Sequence, residues 1–306
     1  MDTLSQIFSF LNVRASRCTR FEASGRWSFR FPPKPALKFG AILCGACWID
    51  FGTGERHHLV AGDSFLIADG PSYVLANDES QVPADGIAMF DWEHSDVAHH
   101  EGADTILVAG SFTFDISDAD LLLEALPRFL LIPAQHPSAS IIRSTLHLIA
   151  EELGSIQIGA SMLTERLVDV LLVQVLRAAL DQDGSKDFGW IGALTDPRMS
   201  KSIQMMHGDV AHPWSIEELC GRVAMSRSAF SKRFKALVGH APLKYLLRWR
   251  MRVARNMLRQ GTSVAVVAQD VGYASESAFR HAFKRLYGHA PRRYWQEVGD
   301  SSANLL

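Results

Sequence analysis

Two stretches near the C-terminus are almost the same: Ser228-Ala229-Phe230…Phe234-Lys235…Gly239-His240-Ala241-Pro242…Tyr245 and Ser277-Ala278-Phe279…Phe283-Lys284…Gly288-His289-Ala290-Pro291…Tyr294. Overlaid at a shift of 49 residues, positions 228–245 agree at 11 of 18 places. A duplication this tight marks two copies of one supersecondary unit. Each copy reads as helix, short turn, helix, which places helix-turn-helix units at about 215–238 and 263–287.

In the first copy Ser215 and Glu218 have the spacing of a capping box, so a helix starts there. Ile216, Leu219 and Val223 recur on one face, Ala224-Met225 forms the turn, and Ser226 caps the next helix. Phe230, Phe234 and Leu237 face inward, leaving Arg227, Ser228, Ser231, Lys232 and Lys235 outside. The second copy repeats the scheme with Val264, Val267 and Val271 inward and a turn, Gly272-Tyr273-Ala274, one residue longer. There Ser275 caps, Phe279, Phe283 and Leu286 pack, and Glu276, Ser277, Arg280, His281 and Lys284 point outward. Short polar groups for base edges and cations for phosphates, opposite a buried stripe, suit a helix that reads a DNA groove. The two outward faces differ while the inward faces match, which suits one scaffold reading two DNA segments. Between the copies, residues 243–260 predict a helix carrying Arg248, Arg250, Arg252, Arg255 and Arg259. Its length, roughly 27 Å, approaches the ~34 Å between successive major grooves, so it can act as a spacer. Its arginines are expected to be mostly solvated, with Arg250 on the DNA backbone beside Arg227, Lys235 and Lys284.

Charge supports the same partner. Residues 1–196 hold 13 Lys+Arg against 26 Asp+Glu, and residues 197–306 hold 18 against 7, although the whole chain is close to neutral at −2. A basic third joined to an acidic remainder implies an anionic partner for the tail alone, and double-stranded DNA fits. No membrane span or signal peptide is evident, and four cysteines are too few for a disulfide framework, so a reducing cytoplasm is expected.

Ahead of the repeat, residues 20–115 read as short strands punctuated by Gly and Pro: 37–44, 47–51 before a turn at Gly52-Thr53-Gly54, 62–67, 73–75 and 105–110. A β-sandwich or small barrel follows. A short helix opens at Asp118 and stops near Pro127, and helices are predicted over 138–153 and 161–180. The second is apolar around more than one face, which suits dimerisation. The expected organisation is a barrel over 1–135, a helical dimerisation segment over 136–180, a polar linker over 181–196 and a DNA-binding domain over 197–306. The fold class is therefore α+β.

The segment from about 197 to 298 resembles the DNA-binding domain of the AraC/XylS family of bacterial transcription regulators. The resemblance rests on Met225-Ser226-Arg227-Ser228-Ala229-Phe230…Phe234-Lys235, on the spacer helix, on Val266-Val267-Ala268-Gln269-Asp270-Val271-Gly272-Tyr273, and on Ser275-Glu276-Ser277-Ala278-Phe279…Phe283-Lys284…Gly288…Pro291…Tyr294. It implies seven helices, promoter binding and, in activators, contact with RNA polymerase. It also implies base reading by Ser228, Ser231 and Lys232, then by Glu276, Ser277, Arg280 and His281. The N-terminal half is similar to the cupin-type sensor that precedes this domain in one subgroup, on Phe39-Gly40…Gly45-Ala46-Cys47-Trp48, Gly62-Asp63-Ser64-Phe65-Leu66-Ile67 and Gly70-Pro71-Ser72-Tyr73-Val74-Leu75. That similarity implies a barrel whose mouth holds a small effector.

An enzymatic alternative, a metal-dependent cupin with a DNA-binding tail, needs two or three His and a carboxylate at one point. The second cupin motif has Tyr73 where a ligating His would stand, and the pairs His57-His58 and His99-His100 point apart on strands. No metal, cofactor or catalytic residue is expected. Cys44-Gly45-Ala46-Cys47 lacks a second pair to complete a zinc tetrad and reads as buried packing. Cys18, among Arg14, Arg17 and Arg20, is the candidate for a further alternative, a thiol-oxidation sensor. Arg26 and Arg30 flank Trp27 and Phe29 so as to share one strand face; with Trp48 and Tyr73 they are the candidate effector contacts, suited to an anion.

Overall fold

The computed structural model describes residues 14–34, 36–113, 123, 126–154, 157–181 and 188–291. The chain divides between residues 187 and 188 into a β-rich unit and a helical unit. The α+β class expected from the sequence is borne out.

The first unit is built from eleven strands: β1 (Arg14–Ala23), β2 (Ser28–Phe31), β3 (Leu37–Cys44), β4 (Ala46–Asp50), β5 (Arg56–Val60), β6 (Ser64–Ile67), β7 (Tyr73–Ala76), β8 (Ala84–Asp85), β9 (Val97–His100), β10 (Thr105–Thr113) and β11 (Phe129–Ile132). They form a six-stranded sheet, β11-β6-β3-β10-β1-β9, and a five-stranded sheet, β5-β4-β7-β2-β8. Between the sheets lies a core of Phe21, Ile42, Phe65 and Leu107 from the first and Phe29, Ile49, Leu59 and Leu75 from the second. In β4 the buried residues alternate, the period-two pattern of a half-buried sheet, whereas all four residues of β6 are buried. Buried Asp63 closes the β5–β6 turn: its carboxylate accepts from the Val60 and Ala134 N–H groups at 2.9 and 2.8 Å.

Strand β1 begins earlier than the sequence pattern indicated and pairs with β10 and β9 inside the larger sheet. Its run of arginines hides the alternation: Phe21 and Ala23 are buried while Arg20 and Glu22 pair at 2.5 Å. Helices α1 (Ala139–Leu153) and α2 (Ala160–Asp181) pack on each other and on β1. The short helix expected from Asp118 lies outside the described residues apart from Leu123, as do linker residues 182–187.

The helical unit starts sooner than a polar linker to 196 would allow. Phe188, Trp190, Ile191 and Ala193 are buried, and α3 (Gly189–Ala193) packs on α6 (Arg227–Val238). The apolar run Phe188-Gly189-Trp190-Ile191 outweighs the polarity of the residues before it. Asp196 then caps α4 (Pro197–Gly208), accepting from the Arg198 and Met199 N–H groups, with Pro197 in the first turn. There follow α5 (Ile216–Arg222), α7 (Pro242–Arg259), α8 (Val264–Asp270) and α9 (Glu276–Tyr287).

Candidate nucleic-acid interface and barrel cavities

Helices α6 and α9 are the duplicated elements, each of 12 residues, and their local chemistry matches. Ser226 and Ser275 accept from the Ala229 and Ala278 N–H groups at 3.3 and 3.2 Å, and Gly239 and Gly288 end the helices in the left-handed region. The buried stripe is Phe230, Phe234 and Val238 in α6, and Phe279 and Phe283 with half-buried Tyr287 in α9. Leu286, expected in that stripe, is 40 % exposed. The stripe runs i, i+4, i+8, and Tyr287 takes the last place with its ring centroid 4.7 Å from Phe283.

On the opposite side, Arg227, Ser228, Lys232 and Lys235 are exposed on α6 and Ser231 is half-buried. Ser277, Arg280, His281 and Lys284 are exposed on α9, with Glu276 half-buried and paired to Arg280. Arg227 reaches Glu217 at 2.6 Å. Each face thus offers both hydroxyls and cations to a solvent-side ligand, the donor set that phosphates and base edges require.

The spacer helix α7 has 18 residues, and both copies pack on it. Its arginines are used differently from expectation. Arg255 is fully buried with its guanidinium 4.9 Å from the Tyr287 ring, and Arg252 is 7 % exposed. Arg250, expected on the DNA backbone, donates instead to the Val210 and His212 carbonyls at 2.8 and 2.7 Å. It fastens the 210–212 loop from a different face of the helix than Arg252 and Arg255, which stand three apart and turn into the protein.

That loop also meets the second copy's turn. Gly272 has φ +80, and a Cβ there would lie 2.4 Å from the Ala211 carbonyl oxygen. The matching residue of the first copy is Ala224, which adopts φ +52 despite its side chain. Behind the first copy, His207 is buried: its Nε2 lies 2.9 Å from the Tyr245 hydroxyl and its ring stacks on Trp249 at 3.8 Å. Burial first, and nearby Arg252 second, push its pKa down to about 3, so the imidazole is neutral. The capping box of α5 is half-formed: Ser215 accepts from the Glu218 N–H at 3.1 Å, while the Glu218 carboxylate turns to His212 at 2.9 Å.

In the barrel, Arg30, Trp48 and Tyr73 line a cavity of about 290 Å³ together with the charged residues Asp50, Arg56 and Glu79. Arg56 satisfies both carboxylates, at 3.2 Å to Asp50 and 2.6 Å to Glu79. Arg26 does not share this site. It precedes β2 in a bend and pairs with Asp78 at 3.4 Å, so the expected guanidinium pair is not assembled. A second cavity, about 360 Å³ and mainly apolar, is lined by Phe21, Trp27, Phe29, Phe31, Leu75 and Leu107, with Lys34, Lys38 and Tyr73 also on its wall. Lys38 Nζ lies 4.8 Å from the centroid of the Tyr73 ring. Burial, then Lys34, push the Lys38 pKa down to about 8. The available signal for this site was a lysine inside an otherwise apolar strand, Leu37-Lys38-Phe39-Gly40-Ala41-Ile42.

Cys18 is 3 % exposed, and burial with the Asp96 charge pushes its thiol up to about 12. Burial thus disfavours the thiolate, against the direction that the neighbouring arginines suggested, and Arg20 is paired with Glu22. Cys47 is buried and likewise pushed up to about 12, whereas Cys44, expected to be buried, is exposed at the end of β3. Among the described residues no cluster of three or more His, Cys, Asp or Glu could hold a metal ion. No helix among them is long and apolar enough to cross a membrane.

Comparison with known proteins agrees with this division. The sequence pattern described as "Cupin" matches residues 2–181, and that described as "Helix-turn-helix domain" matches residues 219–297. A "Putative AraC-like transcription regulator" of Streptomyces antibioticus is 36% identical over 279 residues, 90% of this chain and 92% of that one. The "HTH-type transcriptional regulator AlkR" of Acinetobacter baylyi is 30% identical over 288 residues, covering 90% and 93%. Among solved structures, the DNA-binding domain of AdpA in complex with a target DNA is 33% identical, covering 32% of this chain and 89% of that one, with a TM-score of 0.31.

Proposed function

The chain belongs to the AraC-like transcription regulators, DNA-binding proteins that here carry a cupin domain ahead of a helix-turn-helix domain, and from that premise we propose a promoter-binding regulator whose barrel senses a small effector. In this reading Ser228, Ser231 and Lys232 read one DNA segment, and Glu276, Ser277, Arg280 and His281 read the next. Arg227, Lys235 and Lys284 hold the backbone, and Arg250 braces the fold behind them. The observation that carries the reading is the pair of exposed faces of different chemistry built on matching buried stripes.

The chain acts as a homodimer through the helical segment behind the barrel. Ile141 and Leu148 on α1, and Met162, Leu163 and Val170 on α2, are exposed apolar residues that a second copy would cover. RNA polymerase is the protein partner when the promoter is occupied, with activation as the output.

Selection of bound sequences from random DNA, followed by footprinting, tests this. Two protected segments about one helical turn apart are expected. Affinity should fall steeply as salt rises, because phosphate contacts release counterions. A single short protected segment, or affinity indifferent to salt, would refute a tandem grip.

A further inference from the structure

The apolar cavity and the charge-bearing one divide the barrel's charges unequally. In the charge-bearing cavity the charges are matched two against two, Arg30 and Arg56 against Asp50 and Glu79, with Arg56 paired to both carboxylates. In the apolar cavity they are not. Its wall carries two cations, Lys34 and Lys38, and among the described residues no Asp or Glu lines it. Neither amine has an ion pair or a side-chain hydrogen bond within the described residues. Lys38 is half-buried with its ammonium over the Tyr73 ring, 4.8 Å from the centroid, and burial first, then Lys34, lower its pKa.

A cavity of about 360 Å³ falls within the range that accommodates a small organic ligand. Its wall is largely aromatic: Trp27 and Phe29 stack with centroids 5.9 Å apart, and Phe31 and Tyr73 with centroids 5.0 Å apart. Flat rings favour a flat apolar guest, since ring faces and edges attract one another. An unmatched ammonium at such a wall favours a guest with an anionic end, because a charge-assisted hydrogen bond replaces the water that burial removed.

We infer that the effector site is this aromatic cavity, and that its ligand class is an aromatic or otherwise flat apolar carboxylate whose anionic end is held by Lys38 with Lys34 behind it. The assignment rests on the reading that the barrel is the sensor, and it moves the site from the Arg30–Trp48 cavity to the one on the other side of Tyr73. Lys38 selects the anion, and the aromatic wall selects the body.

The experiment is isothermal titration calorimetry of the full chain with three probes of one shape: 4-phenylbenzoate, 4-phenylbenzamide and 4-phenylbenzylamine. The carboxylate should bind at least tenfold more tightly than the amide, and the cationic amine should not bind. Lys38→Met should remove most of the carboxylate's advantage while leaving the amide's binding unchanged, and Lys38→Arg should restore it. Arg30→Met, in the other cavity, should change nothing. Equal binding of carboxylate and amide, no binding of either, or loss of carboxylate binding in Arg30→Met rather than Lys38→Met would overturn the assignment. Repeating the carboxylate titration with selected DNA separates the two layers. Lys38-dependent binding that leaves DNA affinity unchanged upholds the ligand class and overturns control by the barrel.

Discussion

Acidification should weaken the helical unit through one side chain. His207 is enclosed by Tyr245 and Trp249, with Arg252 close enough to oppose a second positive charge, and the folded state holds it neutral until about pH 3. The unfolded chain takes up that proton near the ordinary histidine value of about 6.5. Between those values the unfolded state binds more protons, so stability is full above ~6.5 and falls as pH decreases, levelling near 3. At pH 5 the folded imidazole is still neutral, and the loss relative to pH 7.5 is about 2 kcal/mol, since the unfolded site lies ~1.5 units below its pKa and each unit is worth 1.36 kcal/mol. That figure changes little for any folded pKa below ~4, which makes it a test of burial rather than of an exact value. Urea unfolding of the full chain, followed by helical circular dichroism, should be run from pH 7.5 to 5 on the wild type and on His207→Gln. The variant loses the ring stack and is less stable at neutral pH, but its glutamine does not titrate. The stability gap between the two proteins should therefore narrow by about 2 kcal/mol on going to pH 5. Parallel curves, with the gap constant to within ~0.5 kcal/mol, would show that His207 is solvated in the folded chain and sink the argument.

Three further outcomes follow from particular contacts. Lys232→Ala and Arg280→Ala should each weaken specific DNA binding by about 1–3 kcal/mol and relax sequence preference at the bases they face; unchanged affinity and footprint in both would remove them as base readers. Arg250→Met should lower the unfolding free energy by about 1–2 kcal/mol, because two half-buried carbonyls lose a charged donor. The same variant should keep the wild-type salt dependence of DNA binding, and a slope reduced by about one unit would return Arg250 to a phosphate. Gly272→Ala should destabilise by at least ~2 kcal/mol, from left-handed strain and the Ala211 carbonyl, while Ala224→Gly at the matching turn should gain about 0.5 kcal/mol. Equal shifts of the same sign, measured by urea unfolding, would mean that the two turns do not share a backbone.

The helical third was legible because its rules are local. Serine caps, glycine stops and phenylalanines at i and i+4 act within one or two turns, so their spacing alone places α6, α9 and the faces they expose. Even there the stripe's last member, Tyr287 rather than Leu286, follows from how the helix packs on α7, which a spacing rule does not contain. In the barrel the decisive pairings are distant in sequence. β1 sits between β10 and β9, 50 or more residues away along the chain, and its charged residues masked the alternation that would have announced it. Register likewise decides that Lys38 reaches Tyr73 and that Arg26 misses Arg30's cavity. Cys18 shows the same division in one residue: its arginine neighbours along the chain suggested a lowered thiol pKa, whereas burial and Asp96 raise it. Short-range backbone chemistry is written in residue order, so the DNA-binding architecture could be read directly. Burial and charge pairing are properties of surfaces that meet only after folding, and they settle which arginines brace, which way a thiol's pKa moves and which cavity keeps an unanswered charge.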